Sequence, residues 1–126
     1  METSSESSVG KEYSEEVQND RNKRTIECKF CNSLILQPLS ASFITNQFSL
    51  PLMKQANGSS PDEVVAEELA DFWKVDDMLT FENIGFSHTV KEIKYLVCAD
   101  CEMGPVGYHD IPSKKSYVAL SRVKHV

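Results

Sequence analysis

The four cysteines of this chain fall in two pairs of identical spacing, Cys28-Lys29-Phe30-Cys31 and Cys98-Ala99-Asp100-Cys101. No other pattern in the 126 residues restricts the fold as strongly. A Cys-x-x-Cys turn presents two thiolates to one ion, and Zn2+ takes four soft ligands at tetrahedral geometry, so two such turns complete one coordination shell. Between Cys31 and Cys98 lie 66 residues, more than a small zinc finger contains. One ion would therefore tie the start of the folded unit to a strand end far along the chain. Four protein thiolates leave no position open for water or substrate, which marks such a site as structural. The competing readings are two disulfides, a redox dithiol pair, or four unliganded cysteines. A cytosolic chain argues against disulfides. Thioredoxin-like chemistry needs one activated pair on a strand-to-helix turn, whereas both pairs here adjoin predicted strands. His88, His109 and His125 share no spacing with the thiolates and are not needed as ligands.

A staple of this kind suits a chain that holds about one domain's worth of residues. Residues 1–24 carry only Met1, Val9, Tyr13 and Val17 as larger apolar side chains, among six acidic and four basic residues and many serines. Such a stretch buries too little to offset its ordering entropy. The reading is a disordered N-terminal tail over 1–24 and a single zinc-binding domain over 25–126. The opening METSSESSVGKEYSEE has neither a basic n-region nor an apolar h-region, and no apolar run approaches the roughly 20 residues that span a bilayer. The expectation is a cytoplasmic protein with no direct membrane insertion. Its 13 Lys and Arg against 19 Asp and Glu leave a net charge of -6, which repels phosphate backbones and makes nucleic acid a poor default partner.

From Thr25 onward, short runs of Val, Ile, Leu, Tyr and Phe between turn residues predict a mainly β fold. The expected strands are Ser33 to Gln37, Ser42 to Leu50, Met78 to Phe86, Val90 to Val97 and Ser116 to Val123, the last with an ambiguous choice of faces. Lys54 to Ser60 reads as an exposed loop. Ser60-Pro61-Asp62-Glu63 then combines an N-cap, a proline at the first helical position and a capping-box glutamate. It predicts a short helix to about Phe72, with Val64, Val65, Leu69, Phe72 and Trp73 as its apolar stripe, or else a loop insert of the same composition.

Motifs for covalent chemistry are missing. There is no Gly-x-Ser-x-Gly elbow, no His-Glu-x-x-His, no phosphate loop and no Gly-x-Gly-x-x-Gly. Methionine sulfoxide reductases of the B type pair two metal-binding Cys-x-x-Cys turns with a further catalytic cysteine, and this chain lacks a fifth. The remaining dense feature is Val75 to Phe86, where Asp76, Asp77, Glu82 and Asn83 alternate with Met78, Leu79, Phe81, Ile84 and Phe86. It reads either as a half-buried strand with a solvated acidic edge, or as an interface with Met78 and Leu79 as apolar anchor and Asp77, Glu82 and Asn83 as polar rim.

In order along the chain stand the first Cys-x-x-Cys, LQP (Leu36 to Pro38), SLP (Ser49 to Pro51), DDM and FEN with Ile84-Gly85-Phe86, IKYLVCADCE (Ile93 to Glu102), GPVGYH (Gly104 to His109) and SYVAL (Ser116 to Leu120). This series resembles the Rab-interacting factor family, zinc-binding proteins known as the mammalian suppressor of a yeast secretory GTPase. The resemblance covers nearly all of Thr25 to Val126 and is weak only over the tail and Lys54 to Ala70. It implies a compact β-tent domain with one structural Zn2+ on Cys28, Cys31, Cys98 and Cys101. It also implies binding to exocytic Rab GTPases, with release of GDP and stabilisation of the nucleotide-free Rab, as a slow exchange factor or chaperone in vesicle transport. Asp77, Met78 and Leu79 stand where the family's Rab-contacting strand lies, with Glu82 and Asn83 just beyond, and Asp100 stands at a position tied to the Rab-binding surface near the metal. Leu79 and Tyr108 depart from the family's Phe and Trp.

The resemblance thus implies a regulator of a GTPase with no covalent chemistry of its own, expected to be monomeric and cytoplasmic and recruited to membranes through Rab. The alternative from another class is a zinc-ribbon-like module for nucleic acid or a transcription complex, resting on Lys114, Lys115, Arg122 and Lys124. That short cluster reads more simply as a solvated strand end.

Overall fold

Strand formers broken by left-handed turn residues yield a mainly β structure in which every pairing among the described residues is antiparallel. The computed structural model describes residues 14–51, 54–55 and 66–126. In chain order the strands are β1 (Val17–Gln18), β2 (Arg21–Asn22), β3 (Ile26–Cys28), β4 (Leu34–Leu36), β5 (Ser42–Pro51), β6 (Lys54–Gln55) and β7 (Ala66–Val75). They continue with β8 (Ile84–Val90), β9 (Ile93–Cys98), β10 (Met103–Gly104), β11 (Gly107–Asp110), β12 (Lys115–Ala119) and β13 (Val123–His125). Eight of them form one sheet in the order β1-β2-β5-β7-β12-β11-β9-β8, three form a second in the order β13-β3-β4, and β10 pairs with β6. The two-residue turn joining β1 to β2 has both Asn19 and Asp20 at positive φ, which matches the right-handed twist of the strands it joins.

Register fixes what each face of the large sheet carries. Phe43, Trp73, Val118, Gly107 and Leu96 stand opposite one another across five strands and so share a face. With Val75 they build the main core, in which Trp73, Leu96 and Val118 are fully buried with Ile26, Ile35 and Leu36 of the three-stranded sheet. Gly107 sits in this row because a Cβ there would run into the Tyr117 carbonyl and Val118 Cα of β12. The opposite face carries Tyr95, Tyr108 and Tyr117 in register. The outer half of β5 covers it, stacking Phe48 on Tyr108 with ring centroids 3.7 Å apart and burying Leu50 beside Phe72. Asn46 donates to the Tyr108 hydroxyl at 3.0 Å.

Five expectations change. The helix expected from Ser60 to about Phe72 is overturned where it is described, since Ala66 to Phe72 belong to β7, while 61–65 lie outside the described residues. The cap signal at Ser60-Pro61 is local, whereas β7 is hydrogen-bonded on both edges, to β5 and to β12, and buries Trp73 in one core cluster and Phe72 in the other. Tertiary pairing outweighs propensity here. The strand expected from Met78 begins only at Ile84. Asp77 Oδ1 accepts from Leu79 N–H at 3.0 Å and winds Met78–Thr80 into a 3-10 turn instead. The strand expected to reach Val123 stops at Ala119, and the 3-10 turn Leu120–Arg122 directs Arg122 inward. Residues 14–24, assigned to the tail on composition, contain β1 and β2, and Asn22 is fully buried, its side-chain oxygen accepting from Ser40 and Ala41 N–H at 2.9 Å each. Of the loop expected over Lys54 to Ser60, Lys54–Gln55 pair with β10 and the rest lies outside the described residues.

Candidate functional site

Each Cys-x-x-Cys turn leaves the end of a strand, the first from β3 and the second from β9. The two turns close in the same way. Asn32 N–H donates to the Cys28 carbonyl at 3.0 Å and Glu102 N–H to the Cys98 carbonyl at 2.8 Å, and both residues take positive φ. This brings the four Sγ atoms within 4.8 Å of one another, with Cys28 to Cys101 and Cys31 to Cys98 at 3.6 Å each. A tetrahedral ion with metal-sulfur bonds of about 2.3 Å needs sulfur-sulfur edges of about 3.8 Å, so the donor set fits a single four-thiolate ion. Such an ion would join the three-stranded sheet, through β3, to the large sheet, through β9.

Electrostatics make the same case. Burial pushes the Cys101 thiol up to about 12 and raises Cys98, whereas the Ser33 side chain, 3.2 Å from Cys31 Sγ, brings Cys31 down to about 7. Partly desolvated thiols resist ionising together, and a divalent cation supplies the charge that allows it. All four cysteines stand in this one cluster, so the fifth thiol that a sulfoxide reductase needs has no counterpart.

Beside the second turn runs the segment that links β7 to β8. Ala99 N–H donates to the Asn83 carbonyl at 3.0 Å, Glu82 N–H to the Ile35 carbonyl at 2.9 Å, and Asn83 Nδ2 to the Leu34 carbonyl at 2.8 Å. Asn83 is thus a brace between β4 and the metal-binding turn rather than a free rim group. Glu82 stays exposed. Asp100 accepts a short hydrogen bond from the Ser33 hydroxyl, which ties the tip of one cysteine turn to the flank of the other. Further along the segment, Met78 packs on the main core while Leu79 is 90% exposed. The structure therefore gathers Asp77, Met78 and Leu79 in one turn and connects them through Glu82 and Asn83 to Asp100.

Two groups escaped the sequence reading. Arg122, placed there in a surface basic cluster, is buried, and its guanidinium donates to the carbonyls of Pro51 at 2.9 Å and Pro105 at 2.7 Å and to Glu67 Oε1 at 3.1 Å. With Lys115 paired to Asp76 and Lys124 to Glu27, the cluster behind the nucleic-acid alternative is dispersed. Tyr108 is an interior residue, its hydroxyl pushed up to about 12 by burial. No period or motif marks either role.

Sheets brought together at two cysteine turns, with an exposed acidic-apolar turn alongside, define a small mainly β domain whose four clustered thiols can hold one metal ion. A family model described as Mss4 protein matches residues 21–125, and the chain belongs to that family, which is the Rab-interacting factor family its motifs resemble. A Drosophila melanogaster protein named guanine nucleotide exchange factor MSS4 homolog is 47% identical over 114 residues, covering 90% of this chain and 93% of its own. A protein of the same name from Schizosaccharomyces pombe (strain 972 / ATCC 24843) is 29% identical over 101 residues, covering 79% of this chain and 95% of its own.

Proposed function

We propose that the chain is a guanine nucleotide-releasing factor for Rab-family GTPases of exocytic vesicle transport, binding the nucleotide-free GTPase in preference to the loaded one. One observation carries this reading: an almost fully exposed Leu79 in a turn pinned by Asp77 and braced to the metal centre through Asn83 and Ala99. A large apolar side chain held almost wholly in solvent on a fixed turn, beside the carboxylate of Asp77, has the geometry of an interface anchor. The family membership and the printed name of the relatives support the class of partner.

A factor that binds the empty GTPase more tightly weakens nucleotide binding by the same ratio, and nucleotide weakens the factor's grip in return. Met78 and Leu79 hold a displaced GTPase segment, while the carboxylates of Asp77 and Glu82 disturb the field that retains magnesium and phosphates. Zn2+ on Cys28, Cys31, Cys98 and Cys101 is structural, holding Asp100 and the brace at Asn83. No bond is made or broken by the factor, which acts as a monomer in the cytoplasm and reaches membranes with the GTPase.

The test is release of a fluorescent GDP analogue from purified exocytic Rabs, with gel filtration for a nucleotide-free complex. Accelerated release, with a complex that added GTP dissolves, is expected, and Asp77→Ala or Met78→Ala should lose both. Absence of release and of any complex with a folded, metal-loaded sample overturns the reading.

A further inference from the structure

Next to the Asp77 turn the large sheet runs out of hydrophobic cover and leaves a groove of about 450 Å3. Its floor continues the core face by register, because His109 stands opposite Ser116 on β12 and opposite Lys94 on β9. His109 Nδ1 lies 2.8 Å from Ser116 Oγ, which in turn donates to Met78 Sδ at 3.0 Å, so the floor is fastened to the exposed turn. Met78 and Ile111 give the groove its apolar lining, while Lys94 and Lys114 bring two ammonium groups to it.

The groove is lined by two carboxylates, Asp76 and Asp77, and two ammonium groups, Lys94 and Lys114. Asp76 is already engaged by Lys74 at 3.8 Å and Lys115 at 3.3 Å, and Asp77 Oδ1 is committed to Leu79 N–H. Among the described residues neither Lys94 nor Lys114 has a carboxylate partner, and Lys94 Nζ rests 4.8 Å from the centre of the Phe86 ring. Two ammonium groups without a carboxylate partner and two aliphatic walls thus line one cleft on a chain of net charge -6. Such a site selects its occupant by complementary charge and register.

We propose that this groove receives a segment of the bound GTPase in which a carboxylate stands beside an aliphatic side chain. The carboxylate reaches Lys94 and Lys114, and the aliphatic group packs on Met78 and Ile111. This rests on the proposed function and extends its contact surface from the Asp77 turn across β9 and the turn that follows β11. A phosphate of the released nucleotide suits the groove less well, since a dianion meets about twice the repulsion from Asp76 and Asp77 that a single carboxylate meets, and it has no apolar stem to pack on Met78 and Ile111.

The experiment titrates the full chain with a nucleotide-free Rab at several salt concentrations. It compares the wild type with Lys94→Met plus Lys114→Met, which keeps side-chain length and removes charge, and with Lys91→Glu, a charge change in the turn between β8 and β9. Thermal midpoint and metal content establish that each variant is folded. The double variant is expected to bind about tenfold more weakly at low salt and to lose salt dependence, with Lys91→Glu close to wild type. Wild-type affinity and salt dependence in the double variant overturn the groove assignment and leave the proposed function standing. A wild-type chain that binds no Rab overturns both. Displacement of the His109 NMR signals by free GDP or inorganic phosphate, with none on adding the Rab, overturns the carboxylate assignment in favour of a phosphate site.

Discussion

Cys28 to Asn32 and Cys98 to Glu102 fold into turns that share the same carbonyl-capping hydrogen bond and the same left-handed residue after the second cysteine, yet their middle residues lead different lives. In the first turn Lys29 Nζ donates to the Ser121 carbonyl at 2.6 Å and the Phe30 ring is left 55% exposed. In the second, Ala99 is bonded to Asn83, and Asp100 to Ser33. The thiolates dictate the backbone, and the two residues between them are free to take other work. Only the second turn is coupled directly to the segment that presents Asp77, Met78 and Leu79.

That contrast can be broken at three levels. The largest effect is expected from the cysteines themselves, which do not distinguish the turns. Cys98→Ser and Cys31→Ser should each abolish stoichiometric metal and cooperative unfolding, because binding energy at a structural site is folding energy. Metal analysis beside circular dichroism checks this, and a well-folded metal-free variant that still binds Rab would contradict it. A smaller and one-sided effect is expected at the middle residues. Asp100→Ala should weaken Rab binding about tenfold, or roughly 1.4 kcal/mol, with metal retained, whereas Phe30→Ala should leave binding unchanged. Equal losses from both would mean that the two turns serve the partner alike.

The smallest effect is on pH dependence and concerns the sheet that carries the first turn. His125 on β13 pairs with Ile26 on β3, and its Nε2 accepts from Trp73 Nε1 at 3.0 Å. Burial lowers its proton affinity, outweighing the opposite pull of Glu16, and Arg24 and Lys29 add smaller effects in the same direction as burial. The unfolded chain then binds a proton more readily than the folded one, so this contribution is complete above about pH 6.5 and is lost as pH falls through the depressed folded value. His109, also lowered by burial and by Lys94, acts in the same direction. Denaturant midpoints between neutral and mildly acid pH should decline less for His125→Gln, which keeps an acceptor for Trp73, than for the wild type.

The parts of this molecule that were legible in advance are those in which chemistry is local. Two thiolates at a fixed short spacing announce a metal turn whatever surrounds them, and the apolar runs expected as strands over Ser42 to Leu50 and Val90 to Val97 fall largely on β5 and β9, although Lys91 and Glu92 form a turn. What stayed hidden depends on contacts made far along the chain. The cap at Ser60-Pro61 pointed to a helix because nothing nearby reports that β5 and β12 flank residues 66–75. Arg122 looks like its basic neighbours, and only the approach of Pro51, Pro105 and Glu67 makes it an interior brace. The exposed turn was half legible: Asp77, Met78 and Leu79 stood out as a group, but the Asp77 cap that turns a strand into a 3-10 turn did not. The groove lysines were missed because register alone brings Lys94 beside His109.

The order in which the pieces of the metal centre leave the ribosome gives the cysteine spacing a further meaning. Cys28 and Cys31 are made before their partners, with 66 residues between Cys31 and Cys98, and β13, which closes the sheet behind Cys28, is made later still. A nascent chain carries half a coordination shell until nearly all of its core has been synthesised. Products cut short before Cys98 cannot hold the ion, and so cannot gain the folding energy that it provides. Stable folding is therefore expected to wait on the second cysteine turn, which follows only after β1 to β9 have been made.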